Sequence, residues 1–325
     1  MLTHVPSARL PIEQFRNDLV RVCGQFEARP SEGRATTRGA VQTGSHAGVE
    51  MAHVATDVQQ IVRTRQNIRL DEGENYFLII QEEGRALMAQ NEQVRMISPG
   101  DMILVDSTRP SEFTFFGAYS RQLSLHLPRI EMRARFGDGI PGGLFLPSSD
   151  QTAVAICAVL SKVFSRGVDD AQGGFLREAL FGLIGAMLHE RGPGDRPAAI
   201  EADLSGAQVL KRGIAYMDSR FTDPDLAISS VADDLGVSLR QLQRSFALIG
   251  TTPTAYLLQK RMEHACSLLV ARGSRRSALP ISAIAMDCGF SDISYFNRLF
   301  RKAFGCAPGQ YGRDGDAPTG GGRSA

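Results

Sequence analysis

The chain is predicted to be a two-domain α+β protein. A β-rich N-terminal part ends in two helices, and an all-α C-terminal part is built from a duplicated helix-turn-helix. Three observations predict this. Short alternating runs broken by turn residues fill roughly 35–128, broad helical apolar faces occupy roughly 150–191, and a repeat of ~50 residues runs from Ile228 to Tyr311. A chain of 325 residues is long enough to give both parts an ample core.

In chain order, Leu10 to Val22 forms a short helix with Phe15, Leu19 and Val22 on one side. Strands are expected at Thr36–Gln42, Gly48–Ala55, Gln60–Arg65, Tyr76–Gln81, Arg85–Ala89, Gln93–Ile97, Met102–Val105, Glu112–Phe116 and Gln122–Leu127. Pro99-Gly100-Asp101 is a turn between two of them. So many short, closely spaced strands indicate a sandwich or barrel. Gly137-Asp138-Gly139-Ile140-Pro141-Gly142 satisfies a dinucleotide fingerprint in letters only: no buried strand precedes it and a proline interrupts it, so it is a loop.

Two helices follow, Asp150–Ser165 and Gly174–Arg191. Ile156, Leu160 and Val163 line the first, and Leu180, Ile184 and Met187 the second. The run Arg191-Gly192-Pro193-Gly194-Asp195-Arg196-Pro197 breaks the composition and marks a linker. The expected domains are 1–190, a linker over 191–205, a helical domain over 206–312 opened by a helix at Gly206–Phe221, and a disordered tail over 313–325.

The repeat aligns Ile228-Ser229-Ser230-Val231-Ala232 with Ile281-Ser282-Ala283-Ile284-Ala285. Gly236-Val237-Ser238 then matches Gly289-Phe290-Ser291. One position out of step, Leu242-Gln243-Arg244-Ser245-Phe246 matches Phe296-Asn297-Arg298-Leu299-Phe300, and both copies close on Gly-x-x-Pro-x-x-Tyr at Gly250 and Gly305. In each copy a short helix runs into a glycine suited to a left-handed turn, and a serine is expected to cap the next helix. Ser238 with Gln241 three residues later forms a capping box, while Asp292 is expected in the first turn of the second copy's helix.

Leu239, Leu242, Phe246 and Ile249 fall on one face of the first such helix, leaving Arg240, Gln243, Arg244 and Ala247 on the other. In its counterpart Phe296, Leu299, Phe300 and Phe304 face inward, and Ser294, Asn297, Arg298 and Arg301 outward. Arg, Gln, Asn and Ser are the side chains that read base edges. A solvated helix face is the plain alternative, and duplication at matching positions favours DNA. The intervening helix, Thr254 to about Ala271, is roughly 27 Å long at ~1.5 Å per residue. That length suits a spacer between two major-groove turns ~34 Å apart.

The net charge of +1 hides an asymmetry. Fourteen Lys/Arg face nine Asp/Glu between Asp203 and Arg313, giving that part +5 and the remainder −4. No run approaches the ~20 apolar residues of a membrane span, and residues 1–9 carry no secretory pattern, so a cytoplasmic location is expected. The five cysteines are dispersed without a Cys-x-x-Cys pair and read as reduced and structural.

Ile228 to Tyr311 resembles the DNA-binding domain of AraC/XylS transcription regulators, most closely over Ile284 to Tyr311. By that resemblance the base contacts fall to Arg240, Gln243, Arg244, Ile293, Ser294, Asn297 and Arg298. The full candidate set adds Ser238, Gln241, Ser291 and Arg301. The stretch Arg272 to Leu279 is longer than usual for the family and is either a phosphate-contacting loop or a solvated turn.

Gly73–Pro128 resembles the cupin-like effector and dimerisation domain of these regulators, in a FeaR-like form carried by Pro99-Gly100-Asp101 and Leu104 to Pro110. The resemblance implies a cupin-like β-barrel and a helical pair that supports dimerisation. Within the barrel segment only His126 is a histidine, so neither a metal nor another cofactor is expected. Tyr76, Phe77, Phe113, Phe115 and His126 are the candidate effector-pocket residues, with Phe116 beside them; the aromatic set either lines a cavity or fills the barrel.

The expected function is that of a non-enzymatic, small-molecule-responsive transcription activator. Its expected partners are double-stranded DNA, RNA polymerase, an effector and a second copy of itself, with no membrane. Two alternatives stay open: a cupin enzyme carrying a DNA-binding domain, and a regulator controlled by protein partners.

Overall fold

The computed structural model describes residues 9–31, 34–71, 73–165, 169–190, 198–274 and 279–311; at 198–205 and 273–274 it describes the helical backbone alone. The predicted composition break at 191–197, residues 275–278 of the arginine stretch and the tail beyond Tyr311 lie outside the described residues. The chain divides into two compact units, Met1–Gln208 and Val209–Ala325.

The first unit begins with β1 (Leu10–Pro11), α1 (Ile12–Cys23), β2 (Glu27–Arg29), β3 (Thr36–Thr37), β4 (Gly39–His46), β5 (Val49–Thr56), β6 (Gln60–Arg63) and α2 (Arg65–Arg69). It continues through β7 (Asn75–Gln90), β8 (Gln93–Ile97), β9 (Met102–Asp106), β10 (Ser111–Pro128), α3 (Arg129–Phe136), β11 (Leu144–Leu146), α4 (Gln151–Val163) and α5 (Asp170–Glu190). Four predicted strands merge into two. Glu82-Glu83-Gly84 falls between the expected strands Tyr76–Gln81 and Arg85–Ala89, yet β7 runs through it, because the ladder with β10 slips at Phe116–Arg121 and then resumes.

The main sheet follows the open path β11-β9-β7-β10-β5-β4, with β8 added to β7 and β6-β2 added to β10. Among the described residues hydrogen bonding therefore does not close a ring, which corrects the expected barrel. The two long strands are shared between half-sheets on either side of the irregularity, and the half-sheets fold over one core instead.

Alternation along β7 divides the packing. Phe77 and Ile79 join Val54, Ile103, Met88, Ile97 and Phe113 in an inner core under α1. Tyr76, Leu78 and Ile80 join the opposite core, covered by α3, α4 and α5 through Met132, Ile156, Leu160, Leu180 and Ile184. That second core explains why β7 and β9 are apolar on both faces. It also shows what the broad faces of α4 and α5 cover. The helix α3 has no counterpart in the sequence reading: only Met132 of its eight residues is buried, so periodicity left little trace.

The second unit contains the later turns of α6 (Ala198–Arg220), then α7 (Ile228–Leu235), α8 (Leu239–Ala247), α9 (Pro253–Ser274), α10 (Ile281–Asp287) and α11 (Ile293–Phe304). The helix α6 starts at Ala198, eight residues before the expected start at Gly206, so residues 198–205 are helical. Pro253 opens α9 at the position where a missing N–H costs nothing, and the Thr252 hydroxyl accepts the Ala255 N–H at 3.1 Å. Within the second repeat, Ile284, Ala285, Phe290, Phe296 and Phe300 pack on Met262, Ala265 and Leu269 of α9.

Candidate nucleic-acid interface

Each repeat forms a helix, a left-handed glycine turn and a second helix. Gly236 ends α7 at φ 67°, and Gly289 follows α10 at φ 81°. The Ser238 hydroxyl accepts the Gln241 N–H at 3.2 Å, and Gln241 Oε1 accepts the Ser238 N–H at 2.9 Å, completing the expected capping box.

The second repeat departs from the expectation that a serine caps and Asp292 lies in the first turn. Asp292 itself is the N-cap of α11, its carboxylate accepting the Tyr295 N–H at 3.0 Å, while Ser291 stays outside the helix. The cause is the one-residue shift already visible in the repeat: the second turn is longer, so Asp292 occupies the place of Ser238. An aspartate there also favours the positive end of the helix dipole.

With this register Arg240, Gln243 and Arg244 of α8 stand where Ser294, Asn297 and Arg298 stand in α11. Arg240, Gln241, Gln243 and Arg244 are exposed, as are Ser294, Arg298 and Arg301; Ile293 and Asn297 are half-buried. Leu242 and Phe246 anchor α8, and Phe296 and Phe300 anchor α11, all fully buried, which fixes the opposite faces outward. Leu239 departs from its expected inward place and is 43 % exposed, because it is the first residue of α8 and only later turns reach the core. Among the described residues neither Arg240 nor Arg244 has a carboxylate in ion-pair range, so both guanidinium groups face solvent with their donors available.

Sequence patterning missed two exposed residues of this face. Tyr295 is 43 % exposed with the Arg298 guanidinium 6.0 Å from its ring, and Lys302 lies one turn beyond Arg298. Four-residue spacing from Arg298 was the available signal for Lys302.

A sequence profile described as a helix-turn-helix domain matches residues 231–314, and one described as an AraC-binding-like domain matches residues 15–208, more than half of the chain. The chain belongs to the AraC family. It is a DNA-binding transcription regulator. Similar proteins include the transcriptional activator NphR of Rhodococcus, 29% identical over 285 residues that cover 81% of this chain and 78% of NphR. The transcriptional activator RhaS of Escherichia coli is 33% identical over 153 residues, covering 46% of this chain and 50% of RhaS. Among solved structures, the AraC-like transcriptional activator CuxR is similar at a TM-score of 0.46 and 14% identity, covering 78% of this chain and 93% of that one.

In this regulator the candidate effector residues divide. Phe77, Phe113 and Phe115 line a cavity of about 40 Å³ together with Val54, Ile61 and Ile79. Leu19, Cys23 and Phe26 close it from α1 and the turn after it, a contribution that only the tertiary fold reveals. Gln122 and Ser124 supply its polar wall. Tyr76 does not reach it, lying in the opposite core with the Arg129 guanidinium 4.8 Å from its ring. His126 sits on the inner face beside the cavity, its ring 4.9 Å from that of Phe77. Burial pushes the His126 pKa down to about 4 and the Cys23 thiol up to about 12, which favours the protonated thiol at neutral pH. Among the described residues no group of three His, Cys, Asp or Glu side chains is placed to hold a metal ion, and no helix is long and apolar enough to cross a membrane.

Proposed function

We propose that this regulator activates transcription by setting α8 and α11 into successive major-groove turns of one duplex. Ser238, Arg240, Gln241, Gln243 and Arg244 would meet one segment, and Ser291, Ile293, Ser294, Asn297, Arg298 and Arg301 the other. The observation carrying this reading is the matched register of the two helices, which sets polar side chains at equivalent positions: Arg240 with Ser294, Gln243 with Asn297, Arg244 with Arg298. The 22-residue α9 runs between them, ~33 Å long at ~1.5 Å per residue, close to the ~34 Å pitch of the duplex. Cytoplasmic action, contact with RNA polymerase and pairing with a second copy through α4 and α5 belong to the same proposal. NphR and RhaS, both named as transcriptional activators, support its sign.

The first unit would sense a small apolar or aromatic molecule at the cavity under α1. At about 40 Å³ the cavity has room for little beyond water, whereas ligand sites usually measure ~300 Å³ or more. An effector would therefore displace α1, and that displacement is the conformational difference through which it would act. Hydroxyl-radical footprinting on a duplex selected from a random library tests the DNA reading. Two protected segments about one helical turn apart are expected from each protomer, and a single short segment refutes it.

A further inference from the structure

The two repeats are alike in sequence, yet their turns have different surroundings. Gly236 is exposed, and a Cβ built there meets nothing within 4 Å. Gly289 is buried. A Cβ there would fall 2.7 Å from the carbonyl oxygen of Phe221, 2.9 Å from that of Thr222 and 3.0 Å from Arg261 Nε. The chain just past α6 is thus pressed onto the turn of the second repeat.

That segment otherwise belongs with the first repeat. Arg212 of α6 donates to the Leu235 carbonyl at 3.0 Å, at the end of α7. Asp218 of α6 accepts from the Tyr256 hydroxyl at 2.8 Å and pairs with Lys260 at 3.3 Å, both near the start of α9. Arg261 joins the two sides. Its Nε donates to the Phe221 carbonyl at 2.7 Å and its Nη2 to the Asp223 carbonyl at 2.5 Å. Its guanidinium lies 5.9 Å from the Phe290 ring, which is packed beside Phe296 at the base of α11. His264, almost one turn further along α9, meets the Phe221 ring edge-on at 5.2 Å.

A helix by itself fixes distance better than rotation, since the element at its end can swivel about the connecting loop. A second attachment point removes that swivel. Carbonyls just past a helix end attract a cation, and the planar, permanently charged Arg fork can hold two of them at fixed angles, which the freely rotating ammonium of Lys does not impose.

From this geometry we infer that Arg261 is a positioning residue for DNA recognition, fixing the spacing and rotational phase of α11 relative to α8. The inference rests on the two-segment reading proposed above. One inserted base pair moves the second segment roughly 3.4 Å and turns it roughly 34°, since ~10.5 base pairs make one ~34–36 Å turn. A clamped pair of helices cannot follow that change, and an unclamped pair can.

The test uses full-length protein and the duplex that the wild type selects from a random library. Derivatives carry one base pair more or fewer between the two segments, or only one segment. Wild-type affinity is expected to fall at least tenfold on both spacing variants. Arg261→Leu is expected to bind the selected duplex several-fold more weakly, to bind the spacing variants within about threefold of that, and to match the wild type on a single segment. Arg261→Lys, which keeps the cation without the fork, should fall between them and guards against misfolding of the leucine variant. Equal weakening on every duplex, single-segment duplex included, overturns the inference, as does an unchanged spacing preference in both variants. Indifference of the wild type itself to spacing would instead overturn the two-segment reading, and the inference with it.

Discussion

Acidification should destabilise the first unit through His126. The ring sits on the inner face of β10, across from Phe77 of β7 and the exposed Glu50 of β5, and its Nε2 is buried with no hydrogen-bond partner among the described residues. Burial lowers its pKa from 6.5 to about 4, so the folded state resists a proton that the unfolded state accepts. Its contribution is therefore intact above pH ~6.5, is lost as pH falls toward 4, and is constant below that. The full shift corresponds to about 3 kcal/mol, of which about 2 kcal/mol is lost by pH 5.

Replacing the ring with an uncharged one, His126→Phe, removes this pH dependence while other groups still titrate. Urea unfolding at pH 7.5 and pH 5 should therefore show the wild type losing about 2 kcal/mol more than the variant. Proton NMR of the imidazole, assigned by its absence from the variant, should show no titration above pH 5. A midpoint near 6.5, or equal acid losses in the two proteins, would refute the assignment of a buried neutral ring.

Two further predictions concern the second unit. Arg244→Ala and Arg298→Ala should each weaken binding to the selected duplex by about 1–3 kcal/mol and relax preference at one base position; uniform weakening on all sequences, read by competition binding, would make them phosphate contacts. Phe300→Ala, which empties the centre of the Phe290, Phe296, Phe304 and Tyr311 cluster, should cost about 3–5 kcal/mol in thermal or urea unfolding. A loss below 1 kcal/mol would show that the cluster does not hold α11 in place.

The sequence by itself determined the second unit almost completely. Helical periodicity, glycine turns and caps are local, and duplication presented each signal twice, so the outward faces of α8 and α11 could be read before any tertiary contact was known. The cap of α11 was the exception: the sequence was read as placing a serine there, although the one-residue slip in the repeat carried the signal for Asp292. The first unit was legible as a set of strands with a helix before them and two after, but not in how these pair and pack. Gly84, which falls between two expected strands, lies within a continuous β7 because the partner strand carries a compensating irregularity, and pairing across distant segments decides that. Alternation in Tyr76-Phe77-Leu78-Ile79-Ile80 could not say which face was the cavity, since both are apolar and both are buried. Only the packing of α1 on one side and α3 to α5 on the other separated Phe77 from Tyr76. The clamp at Arg261 was equally hidden: its partners are backbone carbonyls about forty residues away, which carry no signature in the side-chain sequence.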